Sequence, residues 1–237
     1  MMSPELRASL PSTEELPCSD DTPVDNEDQN FLPNLLLFML TSIWADRMDW
    51  FFAVDMALYH TTGTNPRIPV VPDAFLSLGV ERKKGGKSRR SYATWEENDT
   101  VPIMALEMVS HKPGGEYTDK MAIYTNLGIL YYVLYNPEFY RRDRHEPFEV
   151  YKLVNGSYQL QNGEPFWMSE IGLGIGRSQQ VIGGIDQEIL CWYNAQGSAY
   201  PTPDEIQTQL ESERQRLEQL EQYLRSLGID PDNLPHT

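Results

Sequence analysis

The chain has 237 residues and carries 35 acidic against 19 basic side chains, a net charge of −16 at pH 7. Neutralisation of phosphates supplies most nonspecific affinity for nucleic acids, so this charge balance argues against a general nucleic-acid binder. With two cysteines and four scattered histidines, the composition also excludes a disulfide-rich scaffold and disfavours a zinc enzyme.

The negative charge is concentrated at the two ends of the chain. Residues 1–30 carry eight acidic side chains and one basic side chain (net −7), and residues 204–237 carry eight acidic and three basic ones (net −5), which leaves −4 for the middle. The objection to a nucleic-acid partner is therefore weaker for the middle of the chain. Because residues 1–30 are rich in proline and poor in aliphatic side chains, we expect them to form an acidic, disordered arm.

The sequence contains no recognisable membrane or secretory segment. No run of about 18 apolar residues is present, as a membrane-spanning helix requires. The N-terminal residues are acidic and lack the basic and apolar regions of a signal peptide. These features predict a cytoplasmic protein with reduced cysteines.

The first ordered elements are expected soon after residue 31. Asn34 is a candidate N-cap for a helix over residues 34–47, whose apolar side chains cover more than one face and indicate packing into the core. An aromatic and apolar stretch at Trp50–Tyr59 predicts a strand, and after a turn a short β-branched run at residues 68–71 predicts another.

Residues 101–135 predict one strand–helix–strand crossover. Residues 101–109 form an apolar strand, residues 116–127 have helical spacing, and residues 129–135 form a second apolar strand. Gly128 is suited to end the helix between them. Because a crossover helix joins parallel strands, this segment predicts a sheet that is at least partly parallel.

The pattern changes in the last hundred residues. Phe148–Val154 and Ser157–Gln161 flank Asn155-Gly156, which is a strong signal for a β-hairpin. A final helix is predicted over about residues 204–227, with leucines that recur every three, four or seven positions and are interrupted by Glu213. This spacing indicates a short coiled coil, which could pair with a second copy of the chain or fold back on its own domain.

Together these elements predict an α+β fold of the broad α/β class. We expect a mixed sheet flanked by helices, with a C-terminal β-hairpin extension and a C-terminal helix. The corresponding domain division is an arm at residues 1–30, a folded domain at 31–200, and a C-terminal helix and tail at 201–237.

Two carboxylates and one lysine are the best candidates for chemistry. Asp73 follows a short apolar strand, Glu107 lies within an apolar strand, and Lys120 lies on the helix that follows that strand. Burying a carboxylate is costly unless a cation compensates it, so Glu107 indicates either a metal site, a structural ion pair or an edge strand that faces water. Two acids near a lysine suit Mg²⁺ or Mn²⁺, which prefer oxygen ligands.

The order and spacing of these residues resemble a known family. The runs Val71-Pro72-Asp73 and Leu106–Ser110, followed by Asp119-Lys120, Tyr124 and Gly128, are similar to the Uma-type restriction endonucleases, a branch of the PD-(D/E)XK nuclease superfamily. Each short motif alone is weak, but their order and placement on predicted strands and a helix are together more specific.

The resemblance implies a restriction-endonuclease-like fold and a metal-dependent endonuclease that hydrolyses DNA. Asp73 and Glu107 would hold Mg²⁺, or Mn²⁺, with the backbone carbonyl of Met108 beside them. The superfamily pattern usually has a lysine two residues after the glutamate, where this chain has Val109. In this branch the lysine is on the helix, and Lys120 matches that position.

An alternative hypothesis is a catalytically silent nuclease fold that binds nucleic acid or protein. The acidic ends and the C-terminal leucines motivate it, and a homodimer through the C-terminal helix or the nuclease domain is compatible with either hypothesis. Six basic residues in the loop 81–91 are candidate contacts to a phosphate backbone, although basic loops are usually just solvated.

Overall fold

The computed structural model describes residues 4–18, 26–112 and 114–231. A six-stranded sheet is its largest element, and the described residues also form a three-stranded sheet, a two-stranded pair and five α-helices. The strands are β1 Trp50–Val54, β2 Leu58–Tyr59, β3 Ala74–Leu78, β4 Tyr92–Ala93, β5 Met104–Met108, β6 Tyr131–Tyr135, β7 Phe148–Val154, β8 Ser157–Leu160, β9 Phe166–Met168, β10 Leu173–Ile182 and β11 Ile185–Tyr193. The helices are α1 Pro4–Ala8, α2 Glu27–Ile43, α3 Asp119–Leu127, α4 Tyr140–Asp143 and α5 Pro203–Ser226.

The large sheet has the strand order β1-β3-β5-β6-β7-β8 and is mixed. β5 and β6 pair in parallel, joined by α3, whereas the other neighbouring strands pair antiparallel. Every residue of β5 and β6 is buried, as expected for parallel strands covered on both faces. The predicted α+β fold with a mixed sheet and the crossover over residues 101–135 are therefore confirmed.

α2 begins earlier than predicted. Its N-cap is Asn26, whose side-chain oxygen accepts a hydrogen bond from the Gln29 amide at 3.0 Å. Asn34 lies within the helix and donates its side-chain amide to the carbonyl of Asn30 at 2.8 Å, so the prediction that it caps the helix is wrong. Pro33 is accommodated inside this helix. The expected boundary at residue 31 therefore falls within α2.

The region between β1 and β3 is less regular than the sequence suggested. β1 ends at Val54 because Asp55 adopts a positive φ of 47°, and the two-residue β2 follows separately. The expected strand at residues 68–71 is reduced to one bridge between Val70 and Leu58. Asp73 consequently lies immediately before β3 rather than at the end of a preceding strand.

The described part of the N-terminal segment is packed, which differs from the disordered arm that the sequence predicted. Leu16 is buried against Tyr59 and Trp95, and the Trp95 indole donates to the carbonyl of Pro11 at 3.0 Å. Arg7 forms an ion pair with Asp99 at 2.7 Å. The composition of residues 1–30 does not predict this packing, because Trp95 and Asp99, which contact Arg7, Pro11 and Leu16, lie some 80 residues away in the sequence. Residues 1–3 and 19–25 lie outside the described residues.

The second half of the chain contains more strand than the predicted hairpin. β7 and β8 form that hairpin, and Asn155 and Gly156 both have the positive φ that its tight turn requires. β9, β10 and β11 add a three-stranded antiparallel sheet. α5 begins with a capping box between Thr202 and Glu205.

The chain divides into two compact units. The first contains the described residues up to 179 together with 188–200, and the second contains residues 180–187 and the described residues from 201 onward. Within the second unit, the Gly183 amide donates to the carboxylate of Asp204 at 2.9 Å. Among the described helices, none combines the length and apolarity that crossing a membrane demands.

Candidate active site

The two candidate carboxylates are brought together by neighbouring strands. Asp73 directly precedes β3, Glu107 is the fourth residue of β5, and Ala74 pairs with Leu106 across the two strands. The Asp73 carboxylate accepts a hydrogen bond from the Met108 amide at 2.6 Å, which joins the start of one strand to the end of the other. Residues 34 positions apart in the sequence therefore share one end of the sheet.

Both carboxylate oxygens of Glu107 have partners on α3. Lys120 Nζ lies 2.7 Å from Oε2, and the Tyr124 hydroxyl donates to Oε1. Lys120 and Tyr124 are one helical turn apart, so their side chains leave the same face of α3. Glu107 and Tyr124 are fully buried, whereas the Lys120 side chain remains 25% exposed.

Local sequence explains why α3 is held at this position. Gly128 ends the helix in the left-handed conformation, which glycine adopts without steric cost, and its amide returns to the last turn. The chain then enters β6 directly, beside β5. At the other end, the Tyr132 hydroxyl in β6 donates to the carbonyl of Glu116 at 2.7 Å, which anchors the segment before the helix.

The environment opposes the ionisation of both acids. Burial raises the pKa of Asp73 well above its usual value, and the nearby Glu107 carboxylate raises it further, while the Met108 amide and Lys120 act in the opposite direction. Burial also raises the pKa of Glu107, against the effects of Lys120 and Tyr124. Burial lowers the pKa of Lys120, but the charges of Glu107 and Asp73 outweigh it and leave that pKa raised.

The donor set fits a hard divalent cation. With both carboxylates ionised, one ammonium group does not balance them, and an added cation would favour their ionised forms against the effect of burial. Among the described residues, no three His, Cys, Asp or Glu side chains converge as a metal-binding group. The ligands from the protein would therefore be Asp73, Glu107 and the Met108 carbonyl, and Mg²⁺ tolerates so few protein ligands because it retains water and binds substrate phosphate.

Two residues at this site were not assigned a role from the sequence. Tyr124 could have been found from its position four residues after Lys120. Gln29 donates its side-chain amide to the Met108 carbonyl at 3.3 Å. It lies on α2, 79 residues from Met108 and within the expected arm, so no sequence signal connects it to the site.

Two further polar side chains near the site have partners of their own. The Ser110 hydroxyl donates to the Lys112 carbonyl at 2.9 Å, and Thr118 occupies the N-cap position of α3. Tyr131 is fully buried, and its hydroxyl donates to the carboxylate of Glu170.

The basic loop at residues 81–91 is partly neutralised. Arg89 forms a bidentate pair with Glu97, and its side chain is almost completely buried. Lys84 pairs with Glu96 at 2.7 Å, and Arg90 pairs with Glu14 of the N-terminal segment at 3.1 Å. Among the described residues, Arg82, Lys83 and Lys87 are the loop cations that form no ion pair with a carboxylate, and phosphate contact by the loop stays a prediction.

Comparison with known proteins gives one match. The sequence model of the family named Uma2, described as "Putative restriction endonuclease", matches residues 22–181. No curated protein and no solved structure matches the chain. The matched segment extends from before α2 into β10 and contains Asp73, Glu107 and Lys120.

Proposed function

The chain belongs to the Uma2 family of restriction endonucleases, and from this membership we propose that it hydrolyses phosphodiester bonds of DNA with a divalent cation, Mg²⁺ or Mn²⁺. The observation that carries the proposal is the fully buried Glu107, which contacts Lys120 and Tyr124 and lies beside Asp73. Neutral side chains in place of Asp73 and Glu107 would make this end of the large sheet more stable, because a single lysine does not compensate the charge of two buried acids.

Each residue has a distinct role in this proposal. Asp73, Glu107 and the Met108 carbonyl hold the cation. When bound, such an ion lowers the pKa of water and neutralises charge on a phosphate. Lys120 is the catalytic cation of the protein: its ammonium group is oriented by Glu107 and sufficiently exposed to donate to a phosphate oxygen as negative charge develops there. Tyr124 is a positioning residue because it is fully buried and its hydroxyl contacts Glu107.

A purely structural Glu107–Lys120 ion pair would not account for the third charged group at this site. A structural Glu107–Lys120 pair needs no third charged group, yet Asp73 is placed beside Glu107 and is held there by the Met108 amide. Among the described residues, the buried Asp73 carboxylate has no cation of its own, and a divalent cation bound during function would compensate it. The proposal therefore depends on the association of Asp73 with the pair.

The experiment combines calorimetric titration of Mg²⁺ and Mn²⁺ with cleavage of supercoiled and single-stranded DNA. The variants Asp73→Ala, Glu107→Ala and Lys120→Ala are compared with Glu211→Gln, a control carboxylate on α5. We expect the first two variants to lose ion binding and cleavage together, and Lys120→Ala to lose cleavage while it retains an ion. Unchanged cleavage in all three variants would show that the site is wrongly assigned.

The domain division is part of this proposal, with one amendment. We assign the nuclease activity to the predicted domain of residues 31–200. Because α2 is capped by Asn26 and contributes Gln29 to the site, a fragment meant to retain activity should begin before residue 26.

A further inference from the structure

A groove of about 500 Å³ runs along β1, the edge strand of the large sheet. It is lined by α2, by β1 with Met56, and by the basic loop, and we refer to it as the β1 groove. Its volume is within the range of about 300–1,000 Å³ that is typical of ligand sites. None of the residues assigned to the catalytic site lines it.

The charge of the β1 groove is opposite to that of the protein. Arg82, Lys83, Lys87 and Arg89 line it, and its described lining residues include no carboxylate. The whole chain carries 35 acids and 19 bases, so four cations without one acid are a marked local excess. A low-dielectric groove lined by one sign of charge concentrates ligands of the opposite sign, so the expected ligand is anionic.

Three of these cations are available to a ligand. Arg89 is neutralised by Glu97. Lys83 donates to the neutral hydroxyl of Ser88 at 3.0 Å, and the guanidinium of Arg82 lies 3.7 Å from the centre of the Trp50 ring. Within the described parts of the chain, neither these two side chains nor Lys87 forms an ion pair with a carboxylate.

Most of the remaining lining is apolar, with Asn34 and Ser88 as the polar exceptions. Leu37 of α2, Phe51 of β1 and Met56 contribute to it, and Phe51 is fixed between Tyr92, with ring centroids 6.0 Å apart, and the Arg89 guanidinium, 4.4 Å from the centre of its ring. A groove that combines cations with an ordered apolar surface suits a ligand that has both phosphates and apolar rings. A nucleotide unit has this chemistry, whereas an inorganic anion would leave the apolar surface unused.

The groove also leads toward the proposed catalytic site. Val54 lines it and pairs with Ala74, the residue after Asp73. The amide of Asp55 donates to the carbonyl of Asp73 at 3.1 Å. We propose that the β1 groove binds nucleotides of the DNA strand next to the cleavage point, with phosphates on Arg82, Lys83 and Lys87 and the sugar and base surfaces against the apolar lining. This inference rests on the proposed nuclease function.

The test measures DNA binding without cleavage. Fluorescence anisotropy of a labelled single-stranded oligonucleotide in EDTA compares wild type, Lys83→Ala/Lys87→Ala, and the control Lys84→Ala/Arg90→Ala, which removes two cations of the same loop that pair with carboxylates. We expect the groove variant to bind at least tenfold more weakly. Its slope of log affinity against log salt should fall by about 1.4, since each phosphate contact to a single strand contributes about 0.7. The control should bind like wild type.

Three results would overturn the inference. Equal affinity and salt slope in wild type and the groove variant would show that DNA binds elsewhere, and the nuclease proposal would stand if both proteins cleave supercoiled DNA. Failure of wild type to bind or cleave any DNA would reject the groove and the proposed function together. Displacement of the oligonucleotide by an equal nucleotide concentration of a deoxynucleoside monophosphate would assign the groove to a free nucleotide.

α5 and its C-cap residue Leu227 keep one heptad register, with the charged Glu213 at one of its core positions. Ile206, Leu210, Glu213, Leu217, Leu220, Leu224 and Leu227 alternate in steps of four and three residues and so occupy d, a, d, a, d, a and d positions. No residue of α5 is buried, and Leu210, Leu217, Leu220 and Leu227 are each more than half exposed. Exposed leucines at this spacing form the contact face of a coiled coil.

The charges beside this face indicate the partner and its direction. Arg216 occupies a g position and Glu221 the following e position, which face each other across two parallel helices of identical sequence. We infer that a second copy of the chain pairs with α5 as a parallel two-stranded coiled coil. Glu213 would then face its own equivalent at a d position, which weakens the pair.

Sedimentation equilibrium of the full chain tests this pairing. We expect wild type to approach twice 27.3 kDa as its concentration rises, Leu217→Asp/Leu224→Asp to remain monomeric, and Glu213→Leu to lower the dissociation constant at least tenfold. The f-position control Gln222→Glu should match wild type.

Arg216→Glu should weaken pairing, and Arg216→Glu/Glu221→Arg should restore it. A monomeric wild type, or no effect of the leucine variants, would overturn the inference, and failure of the double charge reversal would exclude the parallel direction.

Discussion

The ammonium group of Lys120 lies 2.7 Å from the carboxylate of Glu107 and joins α3 to the buried strand β5. This contact makes the crossover helix part of the site rather than a cover over the sheet. It also couples the proposed chemistry to stability, because loss of the lysine leaves a fully buried carboxylate without its cation.

Removal of Lys120 should therefore destabilise the protein more than removal of the whole pair. We expect Lys120→Met to cost about 3 kcal/mol in the free energy of unfolding, the lower end of the range for a broken buried pair, since Lys120 is partly exposed. Glu107→Gln/Lys120→Met should recover at least half of that loss. Urea denaturation measures both, and a double variant no more stable than Lys120→Met would contradict this account.

Tyr124 should affect the affinity for the divalent ion, through its contact with Glu107, rather than the binding of DNA. Tyr124→Phe removes the hydroxyl that donates a hydrogen bond to Glu107 and leaves the ring packed against Tyr132. We expect a loss of 10- to 100-fold in divalent-ion affinity, as is typical when the partner of a ligand is removed, with little change in KM for DNA. Calorimetry with Mn²⁺ and steady-state cleavage give the two numbers. A raised KM with unchanged ion affinity would instead place Tyr124 in contact with substrate.

Asp73→Asn should stabilise the protein in the absence of metal. Because burial raises the pKa of Asp73, its ionised form is disfavoured in the folded state, and stability is lost as pH rises above the unfolded value of 3.8. The amide side chain removes that cost and can still accept from Met108, so we expect a gain of about 1 kcal/mol at pH 7.

In the presence of metal, wild type should become more stable than Asp73→Asn. A ligand that binds only the folded state stabilises it in proportion to its saturation, so Mn²⁺ should raise the Tm of wild type but not that of Asp73→Asn. Thermal unfolding in EDTA and in excess Mn²⁺ provides the comparison. Equal shifts in Tm for both proteins would mean that Asp73 is not a ligand.

Glu170 provides a pH-dependent contribution at a distance from the site. Lys152 and the Tyr131 hydroxyl lower the pKa of Glu170 to about 2. A depressed carboxylate pKa stabilises the fold above the unfolded value of 4.5, and this contribution is lost as pH falls from 4.5 through about 2. Glu170→Gln should cost less than about 1 kcal/mol at pH 7, since the group is substantially exposed and screened. Urea denaturation at pH 7, 5 and 3.5 should show the difference shrinking in acid; a constant difference would assign it to packing.

The N-terminal segment should contribute measurable stability. Leu16→Ala opens a space against Tyr59 and Trp95 and should cost about 2–3 kcal/mol. Fluorescence of the tryptophans should shift to the red in the folded variant as Trp95 gains exposure, whereas the exposed neighbour Glu14→Gln should leave the spectrum unchanged. No loss of stability would indicate that this segment is not part of the folded unit.

Some of this protein could be predicted from the sequence because the information is local. The hairpin turn at Asn155-Gly156 and the end of α3 at Gly128 depend on backbone conformations that these residues adopt at little cost. The crossover of residues 101–135 follows from continuous apolar strands on either side of a helical pattern. Asp73, Glu107 and Lys120 could be named because their order on these elements is itself a pattern.

The groups that lie far apart in the sequence but share a surface follow from three-dimensional packing alone. Gln29 reaches Met108, and the N-terminal Leu16 packs against Trp95. Three of the six loop cations line the β1 groove without an ion pair to any carboxylate in the described part of the chain. These features link residues far apart in the chain. The Gln29 contact forms because a buried polar group requires a partner wherever the fold provides one, and the leucine contact forms because burial of apolar surface is favourable. Spacing along one sequence determines helices, turns and strands, whereas the pairing of buried charges is set by the three-dimensional packing of those elements.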